Sequence, residues 1–252
     1  MNLRFPHARI LVFARAPVPG RAKTRLIPVL GARGAAELHR RLVQRTVTTA
    51  VRSRLAPVEL WCAPDCSHPA LVEMAALGVA LHPQTGADLG ERMQNALDSA
   101  LARADRAVLV GSDCPAMTGG YLAQALAALA RHDAVIGPAE DGGYVLAGTR
   151  IRRMVLGRGV AWGTPRVLEQ TRSLFRAQGV DWCELPRLWD VDREGDLERL
   201  RVLAPGLLGE APVRSRPAGA GPVAWQAAEK QPAGAGHGCP ARGSVAQATD
   251  SS

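Results

Sequence analysis

Short apolar segments rich in Val, Ile and Leu alternate along the chain with longer segments whose apolar residues recur every three or four positions. Segments of the first kind are typical of buried strands and those of the second kind of amphipathic helices. The predicted strands are 9–14, 57–63, 79–83, 106–113, 133–139, 143–149 and 180–186. The predicted helices are 32–53, 70–77, 88–103, 118–131, one that begins at Thr164-Pro165, and 193–203. This alternation predicts an α/β fold with a mostly parallel sheet that helices cover on both faces.

The pattern ends near Pro205. Beyond it the chain is rich in Gly, Ala and Pro and shows no periodicity, which is typical of disorder. We therefore expect one folded domain over residues 8–205 and a disordered tail over 210–252. No internal repeat is visible, and the sequence does not predict an oligomeric state.

Charge is distributed unevenly along the 252 residues, whose net charge is +8. Residues 1–60 hold twelve Lys and Arg against two acids, whereas residues 61–204 hold fifteen against eighteen. Such an asymmetry suits a site that binds phosphate with one segment and a metal ion with the other. The five cysteines lack disulfide or zinc spacing, and neither a secretion signal nor a membrane span is visible, so a cytoplasmic protein without a membrane partner is expected.

A basic loop, ARAPVPGRAKTRL, follows the first predicted strand. In α/β proteins phosphates bind outside the carboxyl ends of parallel strands, and arginine matches two phosphate oxygens at once. Gly20 would let backbone amides approach a ligand. The loop fits neither G-x-G-x-x-G nor the Walker pattern. The cations predicted to bind a diphosphate are Arg15, Arg21, Lys23 and Arg25, and a solvated basic loop is the alternative.

Three aspartates are candidate ligands of Mg²⁺ or Mn²⁺. Asp113 follows a buried strand in VLVGSDCP, and Asp190 and Asp192 alternate on an extended segment, so that both would face one side. Asp196 is instead expected at the amino end of the last helix, where it compensates the helix dipole. The alternative for Asp190 and Asp192 is a turn-and-cap pair without a metal.

The segment GPAEDGGYVLAG joins two predicted strands through a glycine turn. Its side chains would project toward the edge where Asp113 lies. Glu140 or Asp141 could then orient or deprotonate an acceptor hydroxyl, and Gly142, Gly143 and Tyr144 could contact the acceptor. Trp162 is either core or acceptor platform. Asp88 is expected to cap a helix, and with Arg92 it could border the nucleotide.

Taken together, the segments FARAPVPGRAKTRL, DLGERM, GSDCP, GPAEDGGYVLAG and DVDREGDL resemble a bacterial glycosyltransferase-like family that includes the arsenosugar-biosynthesis glycosyltransferases. The resemblance spans about residues 8–203. It implies the nucleotide-diphospho-sugar transferase (glycosyltransferase-A) fold, a three-layer α/β/α sandwich with a Rossmann-like mixed sheet. It also implies metal binding by Asp113, Asp190 and Asp192. The AKTRL loop and late DVD are similar to phospholactate guanylyltransferases as well, although the Asp141–Tyr144 turn departs from theirs.

The sequence thus predicts a metal-dependent transferase that moves a sugar from a nucleoside diphosphate sugar to a small-molecule acceptor. The first alternative is a nucleotidyltransferase that joins a nucleoside triphosphate to a phosphorylated small molecule. The second is a nucleotide- or nucleic-acid-binding module without turnover. No nucleic-acid partner is expected, because stacking aromatics are missing near the basic loop.

Overall fold

A seven-stranded mixed sheet organises the chain, as a computed structural model describes it over residues 2–157 and 159–209. The strands are β1 (Ala8–Arg15), β2 (Val58–Ala63), β3 (Ala80–Pro83), β4 (Arg106–Gly111), β5 (Ala134–Pro138), β6 (Tyr144–Thr149) and β7 (Trp182–Glu184). Their spatial order is β3-β2-β1-β4-β6-β5-β7. The pairs that β1 forms with β2 and β4 are parallel, whereas β6 runs antiparallel to β4 and β5.

In the part of the chain that the structure describes, six α-helices flank this sheet. They are α1 (Ile27–Arg52), α2 (Pro69–Val72), α3 (Leu89–Leu101), α4 (Gly119–Ala128), α5 (Val167–Gln178) and α6 (Glu194–Leu203). Gly31 interrupts α1 with φ 69° and ψ 165°, so that the regular part of α1 begins close to the predicted residue 32. The expected start of α5 at Thr164-Pro165 is wrong. The hydroxyl of Thr164 donates to the carbonyl of Ala161, and the helix begins at Val167.

The sheet separates two apolar cores, because alternate residues of a strand point to opposite faces. Ile10 and Val12 pack with α1, α2 and α4 on one face, while Leu11 and Phe13 pack with α3 and α5 on the other. A third apolar cluster joins the first half of α1 to α6. These layers confirm the predicted α/β/α sandwich with a mixed, mostly parallel sheet.

Side-chain oxygens accept hydrogen bonds from backbone amides at the amino ends of three helices, and the predicted cap at Asp88 is one of them. Asp88 accepts a hydrogen bond from the Glu91 amide at the start of α3, and Thr118 accepts one from Tyr121 at the start of α4. Asp196 accepts from the amides of Asp192 and Arg193 at the start of α6. None of the helices in the described ranges combines the length and hydropathy that crossing a bilayer requires. The tail predicted over 210–252 lies outside the described residues.

Candidate functional site

The site is built where the strand order changes direction. β1 lies between β2 and β4, and the chain leaves β1 toward β2 before it returns to add β4 on the other side. At such a point two loops diverge and leave a crevice outside the carboxyl ends of the strands. Here the basic loop leaves β1 and Asp113 follows β4, so both predicted segments lie at the same edge of the sheet.

Lys23 turns from the basic loop into the protein. Its backbone is left-handed (φ 49°, ψ 45°), and only 5% of its side chain is exposed. The ammonium lies 2.8 Å from Asp113 Oδ2 and donates to the carbonyl of Val191 at 2.5 Å. Gly20 also has a positive φ, 81°, and lies exposed at the bend of the loop. Lys23 thereby joins the first predicted segment to both acidic segments.

His39 is a site residue that the sequence did not reveal. It is buried on α1, its Nε2 lies 2.9 Å from the Arg15 carbonyl, and its Nδ1 lies 3.4 Å from Asp113 Oδ1. Burial desolvates the Asp113 carboxylate, but the charge of Lys23 and the nearby His39 ring outweigh this effect and lower the pKa of Asp113. The available signal was a polar residue on the apolar face of α1, between Leu38 and Leu42.

The segment that carries Asp190 and Asp192 packs against the same loops. The Val191 amide donates to the Asp113 carbonyl at 2.9 Å, and the Val191 side chain is buried against α1 and α6. Asp192 forms an ion pair with Arg25, whose guanidinium is exposed. Residues that are far apart in the sequence therefore meet across one cleft, with Lys23 and Asp190 on the same side of the molecule.

The pKa of Asp190 is raised by its position in this cleft. Its partial burial, together with the negative charges of Asp141 and Asp113, raises its pKa to about 6 despite the opposing charge of Lys23. A carboxylate with a raised pKa is ionised at neutral pH only against an unfavourable field. The ionised form of Asp190 is therefore disfavoured by burial and by its acidic neighbours, and the charge of Lys23 offsets this effect only in part.

Replacing Asp190 with asparagine is expected to raise the free energy of unfolding of the metal-free protein, by about 1–2 kcal/mol at about pH 7.5 after allowance for partial exposure. The folded state binds the Asp190 proton more tightly than the unfolded chain, so this carboxylate reduces stability as pH rises from about 4 to about 6. Urea unfolding of both proteins with a chelator present measures the difference, which should shrink toward about pH 4. A variant less stable than wild type at neutral pH would refute this account.

The glycine turn presents Asp141 to the cleft but turns Glu140 away. Asp141 Oδ1 accepts from the Gly143 amide at 2.9 Å. Glu140 forms a two-bond ion pair with Arg199 of α6, at 2.7 and 3.0 Å, which lowers the pKa of Glu140. The Arg199 guanidinium also stacks 4.3 Å from the centre of the Trp189 ring. The ion pair of Glu140 thus links the glycine turn to α6. This geometry does not support the predicted catalytic role of Glu140.

A first pocket, of about 290 Å³, opens between the glycine turn, α3 and the end of β4. We call it the carboxylate pocket, and the predicted residues that line it are Arg25, Asp113, Asp141, Gly143, Tyr144, Trp162 and Asp190. Gly142 does not line it, but its positive φ of 88° shapes the turn. Trp162 packs edge-on to Tyr144 and against Gly90, so it serves both core and pocket.

A second pocket, of about 330 Å³, lies beyond β1 on the side of β2 and β3. We call it the arginine pocket, because Arg15, Arg21 and Arg92 line it together with Gln84. Within the described ranges no carboxylate lies at ion-pair distance from any of these three guanidinium groups, whereas Lys23 and Arg25 are both paired with aspartates. Asp88 lines neither pocket. The free cations of the predicted diphosphate site are therefore the three arginines.

The carboxylate pocket offers the kind of ligand atoms that a divalent cation requires. Asp113, Asp141 and Asp190 offer hard oxygen donors, and the negative charges of Asp141 and Asp113 add to the effect of burial in raising the pKa of Asp190. The ligand set is not preformed, because among the described residues no group of three or more His, Cys, Asp or Glu side chains is arranged to hold a metal. Asp192, predicted as a ligand, is engaged by Arg25.

The family model of uncharacterized proteins conserved in bacteria (DUF2064) matches residues 46–164. No curated protein matches the chain. Among solved structures, a candidate nucleotide-diphospho-sugar transferase from Desulfovibrio desulfuricans G20 is 35% identical, with a TM-score of 0.70 over 77% of this chain and 86% of that one.

Two more distant structures share the fold. A nucleotidyl transferase from Methanothermobacter thermautotroptrophicus is 14% identical, with a TM-score of 0.52 over 78% of this chain and 96% of that one. Glucosyl-3-phosphoglycerate synthase from Mycobacterium tuberculosis, in complex with Mn²⁺, UDP and glucosyl-3-phosphoglycerate, is 10% identical, with a TM-score of 0.50 over 81% and 77%. The structural neighbours are thus transferases, and with 35% identity over most of the first of them the chain belongs to the nucleotide-diphospho-sugar transferase superfamily.

Proposed function

We propose that this transferase moves a glycosyl group from a nucleoside diphosphate sugar to a hydroxyl of a small-molecule acceptor, with a divalent cation bound. One observation carries the proposal: a pocket of unpaired arginines and a pocket of carboxylates adjoin at the same crevice. The amino-terminal part of α3 contributes to both, since Arg92 lines the arginine pocket and Met93 lines the carboxylate pocket. A donor with its diphosphate in one pocket would place its sugar at the other.

The arginines would bind the diphosphate. Arg15 and Arg21 belong to the basic loop and Arg92 to α3, so they approach a ligand from two sides. Unpaired guanidinium groups form charge-assisted bonds with phosphate oxygens without first breaking an ion pair. Lys23, by contrast, positions Asp113 and the Val191 backbone. Its predicted direct contact with the diphosphate would require it to leave both partners.

Asp113 and Asp190 would hold Mg²⁺ or Mn²⁺. A bound cation stabilises the negative charge that develops on a departing diphosphate. Burial and the nearby negative charges of Asp141 and Asp113 raise the pKa of Asp190, and these charges favour a cation at this point. The related fold from M. tuberculosis was solved with Mn²⁺ and UDP. Asp141 lies exposed at the rim of the same pocket, where it can accept a proton or a hydrogen bond from an acceptor hydroxyl.

Thermal-shift measurements test the donor site. Nucleoside diphosphate sugars with Mn²⁺ are expected to raise the melting temperature, because they bind the native state alone, and a chelator should remove the metal-dependent part of the shift. Replacing Arg21 with alanine should weaken nucleotide binding about 10-fold, by loss of a charge-assisted contact. The matched control is Arg131→Ala, an exposed arginine beyond α4, near the amino end of β5. Equal effects of both substitutions would reject the arginine pocket.

Nucleotidyl transfer is the second candidate. Three arginines could hold a triphosphate as well as a diphosphate, and one related fold is a nucleotidyl transferase. The released product separates the two reactions, since nucleotidyl transfer yields pyrophosphate and glycosyl transfer yields a nucleoside diphosphate. The arsenosugar-type subfamily and a cytoplasmic location remain parts of the proposal.

A further inference from the structure

Lysine is rare in this chain. Lys23 and Lys230 are its two lysines, and every other basic residue among the 31 Lys and Arg is an arginine. The two cations differ, because a guanidinium is a planar fork whereas an ammonium is a compact point charge on a flexible four-carbon stem. The compact, mobile kind of cation therefore stands at position 23, where the chain turns a positive side chain into the cleft.

The ammonium of Lys23 lies among oxygen atoms of the kind that a metal ion uses. Its Nζ lies 2.8 Å from Asp113 Oδ2 and donates to the Val191 carbonyl at 2.5 Å. Its charge also acts on Asp190, where it opposes the rise in the pKa of that carboxyl. Carboxylate and backbone carbonyl oxygens are ligands that hard divalent cations prefer. The ammonium thus occupies the place where the cation of the proposed transfer is needed.

The oxygen atoms around the ammonium are held more firmly than the lysine. The Val191 amide donates to the Asp113 carbonyl at 2.9 Å, and the Val191 side chain is fully buried. Lys23, by contrast, has a long flexible stem, and its backbone is left-handed (φ 49°), which is unfavourable for a residue with a Cβ. The lysine is therefore the partner that can leave, and its departure would let this backbone relax.

We propose that Lys23 is a built-in counter-ion, whose ammonium neutralises the cation site in the absence of metal and gives up its place when a divalent cation binds Asp113. This inference rests on the proposed function, because it concerns the cation of that transfer. The two positive groups cannot share these oxygens, since like charges a few ångströms apart repel each other. The released ammonium stays on the basic loop, so the predicted contact of Lys23 with the diphosphate would follow metal binding.

Replacing Lys23 with methionine tests the counter-ion role through Mn²⁺ affinity, which calorimetry measures without any nucleotide. Methionine keeps an unbranched stem and removes the charge. Lys23→Met is expected to bind Mn²⁺ about 10-fold or more tightly than the wild-type protein, because the competing cation is gone. If the cation needed the ammonium to hold Asp113 in position, the same substitution would weaken binding. Equal or weaker Mn²⁺ binding by folded Lys23→Met overturns the inference.

Arg21→Met is the matched control. Arg21 belongs to the same loop and is exposed, and it lines the arginine pocket rather than the carboxylate pocket. Its removal changes the net charge by the same amount as Lys23→Met, but water and salt screen an exposed charge. The Mn²⁺ affinity of Arg21→Met should differ from that of the wild type by less than about three-fold. An equal gain of affinity in both variants would reveal a general effect of net charge and overturn the inference.

Chemical labelling tests the exchange in the unaltered protein. Only 5% of the Lys23 side chain is exposed and its ammonium is paired with Asp113, so an acetylating N-hydroxysuccinimide ester should modify it slowly. Saturating Mn²⁺ should raise the rate of acetylation of Lys23 about 10-fold, as mass spectrometry measures it, with Lys230 as the reference for consumption of the reagent. An unchanged or lower rate at saturating Mn²⁺ overturns the inference, and this result decides the matter if Lys23→Met does not fold.

Nucleotide binding by the same samples separates this inference from the proposed function. A melting-temperature shift with nucleoside diphosphate sugars, together with weaker Mn²⁺ binding by Lys23→Met, rejects the counter-ion and leaves the glycosyl donor site standing. Tighter Mn²⁺ binding by Lys23→Met, without a nucleotide shift in the presence or absence of Mn²⁺, supports the exchange and rejects the transferase proposal. Failure of both proteins to bind Mn²⁺ rejects the inference and the metal dependence of the proposed function.

Discussion

Replacing Asp113 with asparagine is expected to lower kcat by about 100-fold or more, since losing one charged group at the reacting centre removes about 2–4 kcal/mol of transition-state stabilisation. Asp113 lies where the loops after β1 and β4 meet, and its low pKa keeps it ionised. Turnover would be followed with the nucleotide sugar that gives the largest thermal shift. Unchanged turnover and unchanged metal dependence would reject the role of Asp113.

Two further variants distinguish a loss of catalysis from a loss of stability in this experiment. Asp105→Asn is the matched control, because Asp105 is exposed and lies at the amino end of the same strand β4, at the opposite edge of the sheet. It should retain full activity. Asp113→Asn also deprives the buried Lys23 of its charged partner and is expected to lower stability. Asp190→Asn, expected to stabilise the protein, should still lose turnover, and that loss cannot be attributed to unfolding.

Replacing Gly142 with alanine is expected to reduce the free energy of unfolding by about 3–4 kcal/mol, one of the largest effects of a single methyl group in this chain. Gly142 has φ 88°, and an added Cβ would lie 2.8 Å from the Pro165 carbonyl carbon, closer still to its oxygen. The obstacle is backbone rather than a movable side chain. The Gly142 carbonyl also accepts from the Leu168 amide at 2.9 Å, so the turn cannot shift without disturbing the start of α5.

Gly179→Ala provides the matched control for Gly142→Ala. Gly179 ends α5 with φ 64°, and an added Cβ there would meet no atom within 4 Å. Its replacement should cost only the conformational term of about 1 kcal/mol. Denaturant unfolding of both variants isolates the steric part, and equal losses would contradict the close approach of Gly142 to Pro165. Activity of Gly142→Ala should fall as well, because Asp141 moves with the turn.

The architecture could be predicted because strands and helix caps depend on residues that are close together in the sequence. Ile10 and Val12 alternate with Leu11 and Phe13, and both sets are apolar, which is typical of a strand buried on both faces. The caps at Asp88 and Thr118 follow from side-chain chemistry within one turn of their helices. The boundary of α5 was missed because Thr164 instead bonds back to Ala161.

The sequence predicted several residues that belong to the site, but it did not predict which side chains contact each other. Asp113 and Asp190 were expected to be close because each follows a strand or lies on an extended segment near the same edge. Which cation each acid would engage depends on contacts between distant residues, and Lys23 and Val191 are 168 residues apart. No periodicity or spacing records such a contact, so the inward turn of Lys23 and the pairing of Glu140 with Arg199 appeared only in the structure.

Val191 completes the cleft from a late position in the chain. Its amide and carbonyl bond to Asp113 and Lys23, and its side chain enters the cluster between α1 and α6. A nascent chain that ends after β6 therefore still lacks the backbone groups that bond to Asp113 and Lys23. The ribosome must add residue 191 before Lys23 can donate to this carbonyl, so the contacts of the cleft are completed only after most of the domain has been synthesised.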